Sequence, residues 1–371
     1  MLYEYRKWHI GLRSRCMIPI SLTSKRPRLA ELDALRGIGA ILVMNFHYST
    51  RFQEMFPKAA HVPFHIFGGN YRVLLFFAIS GFAIFFTVKH LQYGMDFIVN
   101  RFVRLFPAYW GAIIITLTTQ YLGDIPALDI ALSAILVNFT MLQSFFYLPG
   151  VDGAYWTLAI ELSFYACMLS LWRIGALRRI ESAILGWLAL KWVMFFWHGM
   201  PTPVAELLVL QWVPFFTIGI LTYRIWSGQR RWRDQAPYLM AVLLTIAGTE
   251  SLDLLLAAIV IISCFALMIE GYLRWLCIRP LIWVGSISYS LYLVHQHVGF
   301  VIMLTGNRFG VNPFASYVLA IIVAIALGAT LNRLVERPAG KWLQGKWDQY
   351  RMARTVGVTS RFVRQTTISR T

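Results

Sequence analysis

Apolar runs long enough to cross a lipid bilayer recur along the whole chain, and they restrict its fold more than any other feature. A spanning helix needs about 20 mostly apolar residues. Only 14% of the 371 residues are charged, against about a quarter in soluble domains. The composition therefore predicts an all-α polytopic membrane protein with eleven candidate spans: residues 34–50, 71–90, 102–121, 127–146, 155–172, 181–198, 204–223, 236–251, 254–272, 281–304 and 314–335.

The charges of the connecting loops reduce the predicted number of spans from eleven to ten. Three loops are rich in arginine: residues 173–179, 224–233 and 274–279. Basic loops stay on the cytoplasmic side, yet eleven spans and a cytoplasmic amino terminus would place all three outside. Residues 127–146 contain Asp129, Asn138 and Gln143. We therefore predict that this segment is a re-entrant or peripheral helix, which leaves about ten transmembrane helices.

The basic residues are concentrated at the two ends of the chain. Residues 1–29 and 337–371 together carry 13 of the 17 net positive charges. We therefore expect basic cytoplasmic tails at 1–29 and 339–371, on either side of a transmembrane domain at 30–338. No motif of basic and aromatic residues that reads nucleic acid accompanies this charge, so we expect no nucleic-acid partner.

Ionisable residues inside the predicted spans are the main candidates for a functional site, because charge at membrane depth is costly. Arg36 and His47 are eleven residues apart, which is three helical turns, so they share one face of the first span. Arg101 and Arg104 share a face at the cytoplasmic end of the third span, where two guanidinium groups suit a polyphosphate ligand. Structural roles are the alternative: Arg36 can pair with Asp33, and the other two arginines can anchor their helix at the interface.

Two later spans carry polar residues at the outer level. Glu161 lies about two turns into the span that begins near Trp156, and an unpaired carboxylate is expensive there. Ser288, Tyr292 and His295 fall on one face of the tenth candidate. With the histidine of the first span, these residues suggest one site. A structural hydrogen bond for Glu161 and an interface position for Trp156 are the alternatives.

Other polar residues are assigned structural roles. Glu336 and Arg337 predict a local ion pair, and Pro338 predicts that the last helix stops there. Ser80 is interpreted as a small packing residue between helices. The four cysteines lack metal-binding spacing, so we expect no metal.

Together these segments resemble the motifs of the acyltransferase 3 family, integral membrane enzymes that O-acetylate bacterial surface polysaccharides. The similar segments are residues 33–37 with His47, 76–82, 101–107, 156–165, 288–295 and 336–338. Each motif is short, and it is their number and order that make the resemblance specific. The family's ten-span architecture agrees with the count obtained from the loop charges.

The resemblance implies transfer of an acyl group, foremost acetyl, from an acyl-CoA to a hydroxyl of a glycan. The acceptor would be an exopolysaccharide, a lipopolysaccharide or a lipid-linked glycan, and the protein would lie in the bacterial inner membrane with both termini cytoplasmic. Membrane lipids and polysaccharide-assembly proteins are the further partners expected. Donor length depends on pocket shape, so succinyl-CoA or a longer acyl-CoA is an alternative to acetyl-CoA.

The resemblance also suggests roles for the candidate residues. Three arginines would hold the phosphates of coenzyme A at the cytoplasmic mouth: Arg36, Arg101 and Arg104. The predicted catalytic residues are His47, as general base or transient acyl carrier, together with Glu161 and His295. The predicted substrate-binding residues are Ser288, Tyr292 and Trp156.

The main rival from another class is a secondary transporter or a glycolipid flippase. Such proteins also place buried charges along a path through their helices. Transporters often show paired halves with broken helices at corresponding places, and no such internal symmetry is evident in this sequence.

Overall fold

The computed structural model describes residues 29–66, 71–197 and 199–368, and this part of the chain is built from helices without β-strands. The all-α prediction is thereby confirmed, whereas the predicted amino-terminal tail lies outside the described residues except for Leu29. The α-helices, numbered in chain order, are α1 (Ala30–Phe46), α2 (Phe52–Met55), α3 (Arg72–Lys89), α4 (Gly94–Gly123), α5 (Leu132–Asn138), α6 (Trp156–Arg173), α7 (Ile180–Phe196), α8 (Thr202–Leu207), α9 (Val213–Trp226), α10 (Trp232–Thr249), α11 (Leu252–Ile269), α12 (Arg279–Arg308), α13 (Pro313–Leu331) and α14 (Arg337–Ile368).

Several helices are long and apolar enough to cross a membrane. Within the described residues there are five such stretches: Gly94–Gly123, Gly153–Arg173, Leu252–Ile269, Arg279–Arg308 and Pro313–Ala353. Two further apolar helices are shorter: Val73–Lys89 and Val213–Trp226. These lengths indicate an integral membrane protein, but they do not establish the predicted count of ten spans.

The segment that the loop charges removed from the count does not form a long helix. Residues 127–146 are divided between α5 and two 3₁₀ turns, Pro126–Leu128 and Gln143–Phe146. With seven residues, α5 is about 10 Å long, too short to cross a bilayer. Asn138 is fully buried and bonds the backbone of Pro149 and Val151, so the segment is tied to the loop before α6.

The most extensive packing between helices involves α12, whose most apolar stretch is 78% buried. It packs against α1, α4 and α13. Glycines allow α1 and α12 to approach closely: a Cβ at Gly37 would collide with the carbonyl of Leu281, and one at Gly285 with the carbonyl of Asp33. Small residues at helix crossings are typical of membrane helices, where close backbone approach replaces a hydrophobic driving force.

A second pair of glycines joins α3 to α9. A Cβ at Gly81 would collide with the backbone of Phe216, and one at Gly219 with the backbone of Ala78. The two glycine crossings therefore fix α1 on α12 and α3 on α9, and they hold four of the helices near the candidate site.

Two π-helical turns follow α1 and α13, namely His47–Arg51 and Asn332–Glu336. Such turns are rare and occur frequently at functional sites. After the second turn the chain continues as α14, with Pro338 as its second residue. The predicted helix stop at 336–338 is therefore wrong, because a proline in the first turn of a helix is tolerated.

Candidate functional site

One cavity brings together polar side chains from five helices: α1, α3, α4, α6 and α12. Its solvent-accessible volume is about 140 Å³. Six of the nine predicted site residues line it, although they are far apart in the sequence: Arg36, Arg101, Arg104, Glu161, Ser288 and Tyr292. We call it the arginine cavity. The other three predicted residues lie outside its lining.

The arginines of α1 and α4 face this cavity in different environments. Arg36 forms an ion pair with Asp33 at 3.2 Å and also lines the cavity, so the structural alternative and the ligand-facing position coexist. The guanidinium carbon of Arg101 lies 5.6 Å from the ring centres of Phe97 and Tyr165. Its Nε is buried and has no hydrogen-bond partner among the described residues. A buried donor of this kind is unusual and often marks a ligand position.

Arg104 is held by a buried carboxylate from the last part of the membrane domain in the sequence. It forms an ion pair with Glu336, which also accepts hydrogen bonds from Ser290 at 2.6 Å and Asn332 at 2.8 Å. The predicted local pair of Glu336 with Arg337 is therefore wrong, because the π-helical turn directs the carboxylate inwards. Sequence reasoning missed Glu336 as a site residue. Arg104 remains 49% exposed, which leaves part of its guanidinium open to a ligand.

His47 and His295 contact each other although they are 248 residues apart in sequence. Nε2 of His295 lies 3.1 Å from Nδ1 of His47. Nδ1 of His47 is also 2.9 Å from the carbonyl oxygen of Val43, and Nδ1 of His295 is 2.8 Å from that of Tyr292. A carbonyl oxygen only accepts, so we assign a proton to each Nδ1. Nε2 of His47 then carries a lone pair, as a general base requires.

Side chains from the loop before α6 bond the backbone of α12 beside His295. The carboxylate of Asp152 accepts from the N–H of His297 at 2.9 Å, and the hydroxyl of Tyr155 donates to the carbonyl of Leu293 at 3.0 Å. The loop therefore contributes to the position of His295.

Glu161 lies with the arginines and not beside the histidines. Its carboxylate accepts hydrogen bonds from Ser80 at 3.0 Å and from Tyr165. The reason is the register of α6: Thr157, one turn before Glu161, is level with Tyr292 through a 2.7 Å hydroxyl contact. No described contact joins this carboxylate to either histidine. Ser80, interpreted from the sequence as a packing residue, is thus part of the cavity, and its place in a family-like motif was the available signal.

The predicted substrate-binding residues are divided between two places. Ser288 is buried and lines the arginine cavity. Tyr292 also lines it, but its hydroxyl is occupied by Thr157 and by the carbonyl of Ala154 at 2.8 Å. Trp156 faces a second cavity on the other side of α6. The structure thus does not bring Trp156 together with the other eight predicted residues.

The arrangement has two chemically different ends. Guanidinium groups at one end suit phosphate oxygens, which arginine binds through paired N–H groups. The histidine pair lies about one turn of α12 beyond Tyr292, where the cavity lining ends. A ligand that is a polyanion at one end and reactive at the other fits this order.

Comparison with known proteins finds a family and several relatives. A family model described as an acyltransferase domain matches residues 29–333. The exopolysaccharide production protein ExoZ of Rhizobium meliloti (strain 1021) is 24% identical, covering 76% of this chain and 93% of its own length. Nodulation protein 10 of Rhizobium leguminosarum bv. viciae is 25% identical, and the match covers 84% of this chain and 93% of that protein. The acyltransferase MdmB of Streptomyces mycarofaciens is 24% identical, and the match covers 85% of this chain and 92% of that protein. No solved structure matches this chain.

Proposed function

The chain belongs to the acyltransferase 3 family, and from this premise we propose that it transfers an acetyl group from acetyl-CoA to a hydroxyl of a bacterial surface glycan. The observation that carries the proposal is the order of groups along one path, with three arginines at one end and a histidine pair at the other. The names of two relatives, an exopolysaccharide production protein and an acyltransferase, support the same activity class.

We propose ten membrane spans, with both termini in the cytoplasm and the protein in the inner membrane. Ten helices overlap the ten segments predicted from the sequence: α1, α3, α4, α6, α7, α9, α10, α11, α12 and α13. In this topology the arginine-rich loops are cytoplasmic. The arginine cavity then opens towards the cytoplasm, where coenzyme A is found, and the histidines lie towards the outer side.

In this mechanism the arginines bind the donor by its phosphates. Arg101 offers a buried Nε without a partner, and Arg104 is presented by Glu336 with half of its surface exposed. Charge-assisted hydrogen bonds to phosphate are about twice as strong as neutral ones. The acyl thioester then extends along α12 past Ser288 and Tyr292 towards the histidines.

His47 acts as the general base in the transfer. Its Nε2 removes the proton from the acceptor hydroxyl, and the oxygen attacks the thioester carbonyl carbon. The carbon–sulfur bond breaks, and the leaving thiolate of coenzyme A takes the proton back from His47, so that an ester and free coenzyme A are formed. A positioned base of this kind contributes about 10²–10⁴-fold to the rate. His295 holds the imidazole of His47 through Nδ1.

The experiment is NMR of surface glycan from cells that lack the gene, complemented with the wild type or with a variant. We expect acetyl signals to be absent without the gene and restored by the wild type but not by His47→Ala. His61→Ala is the matched control, because His61 is an exposed histidine in the loop after α2. It is expected to restore acetylation fully.

Two results would contradict the proposal. Restored acetylation by His47→Ala would remove this histidine from the chemistry. Unchanged acetylation together with failed glycan export or solute uptake would favour the transporter or flippase. With purified protein, transfer from acetyl-CoA and succinyl-CoA at equal concentration identifies the donor, and an acetyl group located on His47 in enzyme trapped without acceptor would show that this histidine is an acyl carrier.

A further inference from the structure

The second cavity lies against the opposite side of α6 from the arginine cavity, and it takes no part in the mechanism above. Its solvent-accessible volume is about 420 Å³, within the range of about 300–1,000 Å³ that is typical of ligand pockets. Trp156, Ala159 and Ser163 of α6 face it, whereas Leu158 and Glu161 face the arginine cavity. One helix therefore forms the wall between the two cavities.

The lining combines flat aromatic rings with hydrogen-bonding groups. Three indoles contribute to it, from Trp156, Trp197 and Trp212, and the ring centres of Trp156 and Trp212 are 5.5 Å apart. Glu206 and Gln211 add a carboxylate and an amide. An alkyl chain forms no hydrogen bonds with these polar groups, and burying a carboxylate against hydrocarbon is costly. The lining therefore fits an alkyl chain poorly. A sugar ring uses both kinds of surface, since it has apolar C–H faces and hydroxyl edges.

The backbone beside this cavity is irregular. Between α8 and α9, Val209 has φ of 48°, and a left-handed conformation at a β-branched residue is strained. Side chains of α6 and α7 hold the segment by donating to its carbonyls: Cys167 to Leu207 at 3.3 Å, Trp187 to Leu208 at 2.7 Å and Lys191 to Gln211 at 3.3 Å.

The strongest of these supports is Lys191. It is 1% exposed and forms a 2.6 Å ion pair with Glu250. Non-helical backbone at membrane depth is tolerated where it is buried in protein or lines a cavity. The strained turn is held by a buried ion pair and three side-chain donors. A role in shaping a binding surface explains why such a turn is maintained.

The height of the second cavity relates it to the histidines. Trp156 is the first residue of α6, and its neighbour Thr157 contacts Tyr292, one turn from His295. The arginine contact on α6 is at Tyr165, about 12–14 Å further along the helix. The Trp156 end of the second cavity therefore lies near the level of the reactive end of the path, and from there its lining continues along α6 to Ser163.

We infer that the second cavity is an acceptor subsite that binds a neutral, hydroxyl-rich sugar ring of the glycan, next to the ring that is acylated. This inference rests on the proposed function. The carboxylate of Glu206 accepts hydrogen bonds from sugar hydroxyls and disfavours an acidic sugar, and the indoles stack on the C–H face. A glycan of more than one ring passes the amino-terminal end of α6 to reach His47.

The test uses the full-length protein in detergent micelles, with radiolabelled acetyl-CoA as donor. The acceptor is unacylated surface glycan extracted from cells that lack the gene. Trp197→Ala and Glu206→Gln are the test variants, because Trp197 is 57% exposed and its removal leaves the core intact. Trp275→Ala is the matched control: this tryptophan is 72% exposed and lies in the turn before α12.

We expect the KM for the glycan to rise about tenfold in each test variant, which corresponds to loss of one ring stack or one charge-assisted hydrogen bond. The KM for acetyl-CoA and the hydrolysis of acetyl-CoA in the absence of glycan are expected to stay unchanged. Trp275→Ala is expected to match the wild type in all three measurements.

Three results would overturn the inference. The first is an unchanged KM for the glycan in both test variants. The second is an effect seen only with a glycan that keeps its lipid carrier, which would assign the cavity to the lipid. The third is transfer by the wild type that prefers an acidic glycan. Failure of the proposed function is distinguishable, because the wild type itself would then acylate no glycan.

Discussion

At the residue scale, His47 and His295 occupy different positions in one chain of hydrogen bonds. His295 uses both ring nitrogens within the protein, since Nδ1 donates to Tyr292 and Nε2 accepts from His47. His47 uses only Nδ1 in the contacts of the described chain. We therefore assign the proton transfer to His47 and treat His295 as a positioning residue.

Substitution of His295 tests this difference. His295→Gln keeps a side-chain acceptor for Nδ1 of His47, whereas His295→Leu removes it. We expect kcat to fall about 10- to 100-fold in the leucine variant, which corresponds to about 1.5–3 kcal/mol for one hydrogen bond in a charged transition state. The glutamine variant should retain clearly more activity. The KM for acetyl-CoA should not change, because the arginines lie at the other end of the path; a change there would count against the positioning role.

The pair of Arg104 and Glu336 makes a second residue-scale prediction. Arg104→Gln removes a proposed contact to the phosphates of acetyl-CoA. It also leaves the buried carboxylate of Glu336 without its cation, which is destabilising. We expect a raised KM for acetyl-CoA and a lower Tm. Adding Glu336→Gln should recover the Tm without recovering the KM. Recovery of both by the double variant would mean that Arg104 has only a structural role.

At the element scale, close helix crossings explain why two of the sequence motifs contain a glycine. Gly37 lies one residue after Arg36, and Gly81 one residue after Ser80. Each places its helix backbone directly against another helix, α12 for Gly37 and α9 for Gly81. The glycine thus fixes the depth at which the neighbouring polar side chain enters the cavity.

Gly81→Ala should therefore destabilise the protein strongly, because the new Cβ meets the rigid backbone of Phe216. Gly186→Ala in α7 is the matched control, since no atom lies within 4 Å of a Cβ built there. Alanine favours a helix over glycine by about 1 kcal/mol, so this control should be neutral or more stable. The measurement is thermal unfolding of both variants in detergent; equal Tm values would show that the α3–α9 crossing can relax.

At the scale of the whole molecule, the two cavities share one wall and one reactive end. The arginine cavity extends from the proposed cytoplasmic side along α12, and the second cavity lies beyond α6, with its Trp156 end near the level of the histidines. Donor and acceptor would thus approach His47 from different directions. This division suits transfer from a cytoplasmic thioester to a glycan at or beyond the membrane.

The proposed topology is tested by cysteine labelling in a variant without the four native cysteines. Arg233→Cys lies in the first turn of α10, directly after the arginine-rich loop, with a 74% exposed side chain, and Lys58→Cys lies in the exposed loop after α2. In intact spheroplasts a membrane-impermeant maleimide should label only Lys58→Cys. Both positions should react after the membrane is permeabilised. Labelling of both before permeabilisation would exclude the ten-span topology.

The sequence alone was sufficient for the helical fold, the membrane character and the family. It also identified eight residues that the structure brings to one path, because charges and histidines inside apolar segments are visible as exceptions to their surroundings. Their order along each helix follows from helical periodicity, which is a local property.

Partners across helices were decided only by the tertiary structure. The pairing of Arg104 with Glu336, the contact of Glu161 with Ser80 and the separation of Trp156 from the other site residues all depend on helix rotation and depth. These quantities are set by close crossings such as those of Gly81 and by π-helical turns, which shift the register within a helix. Neither leaves a periodic signal in one sequence, because the atoms that meet there belong to segments far apart in the chain.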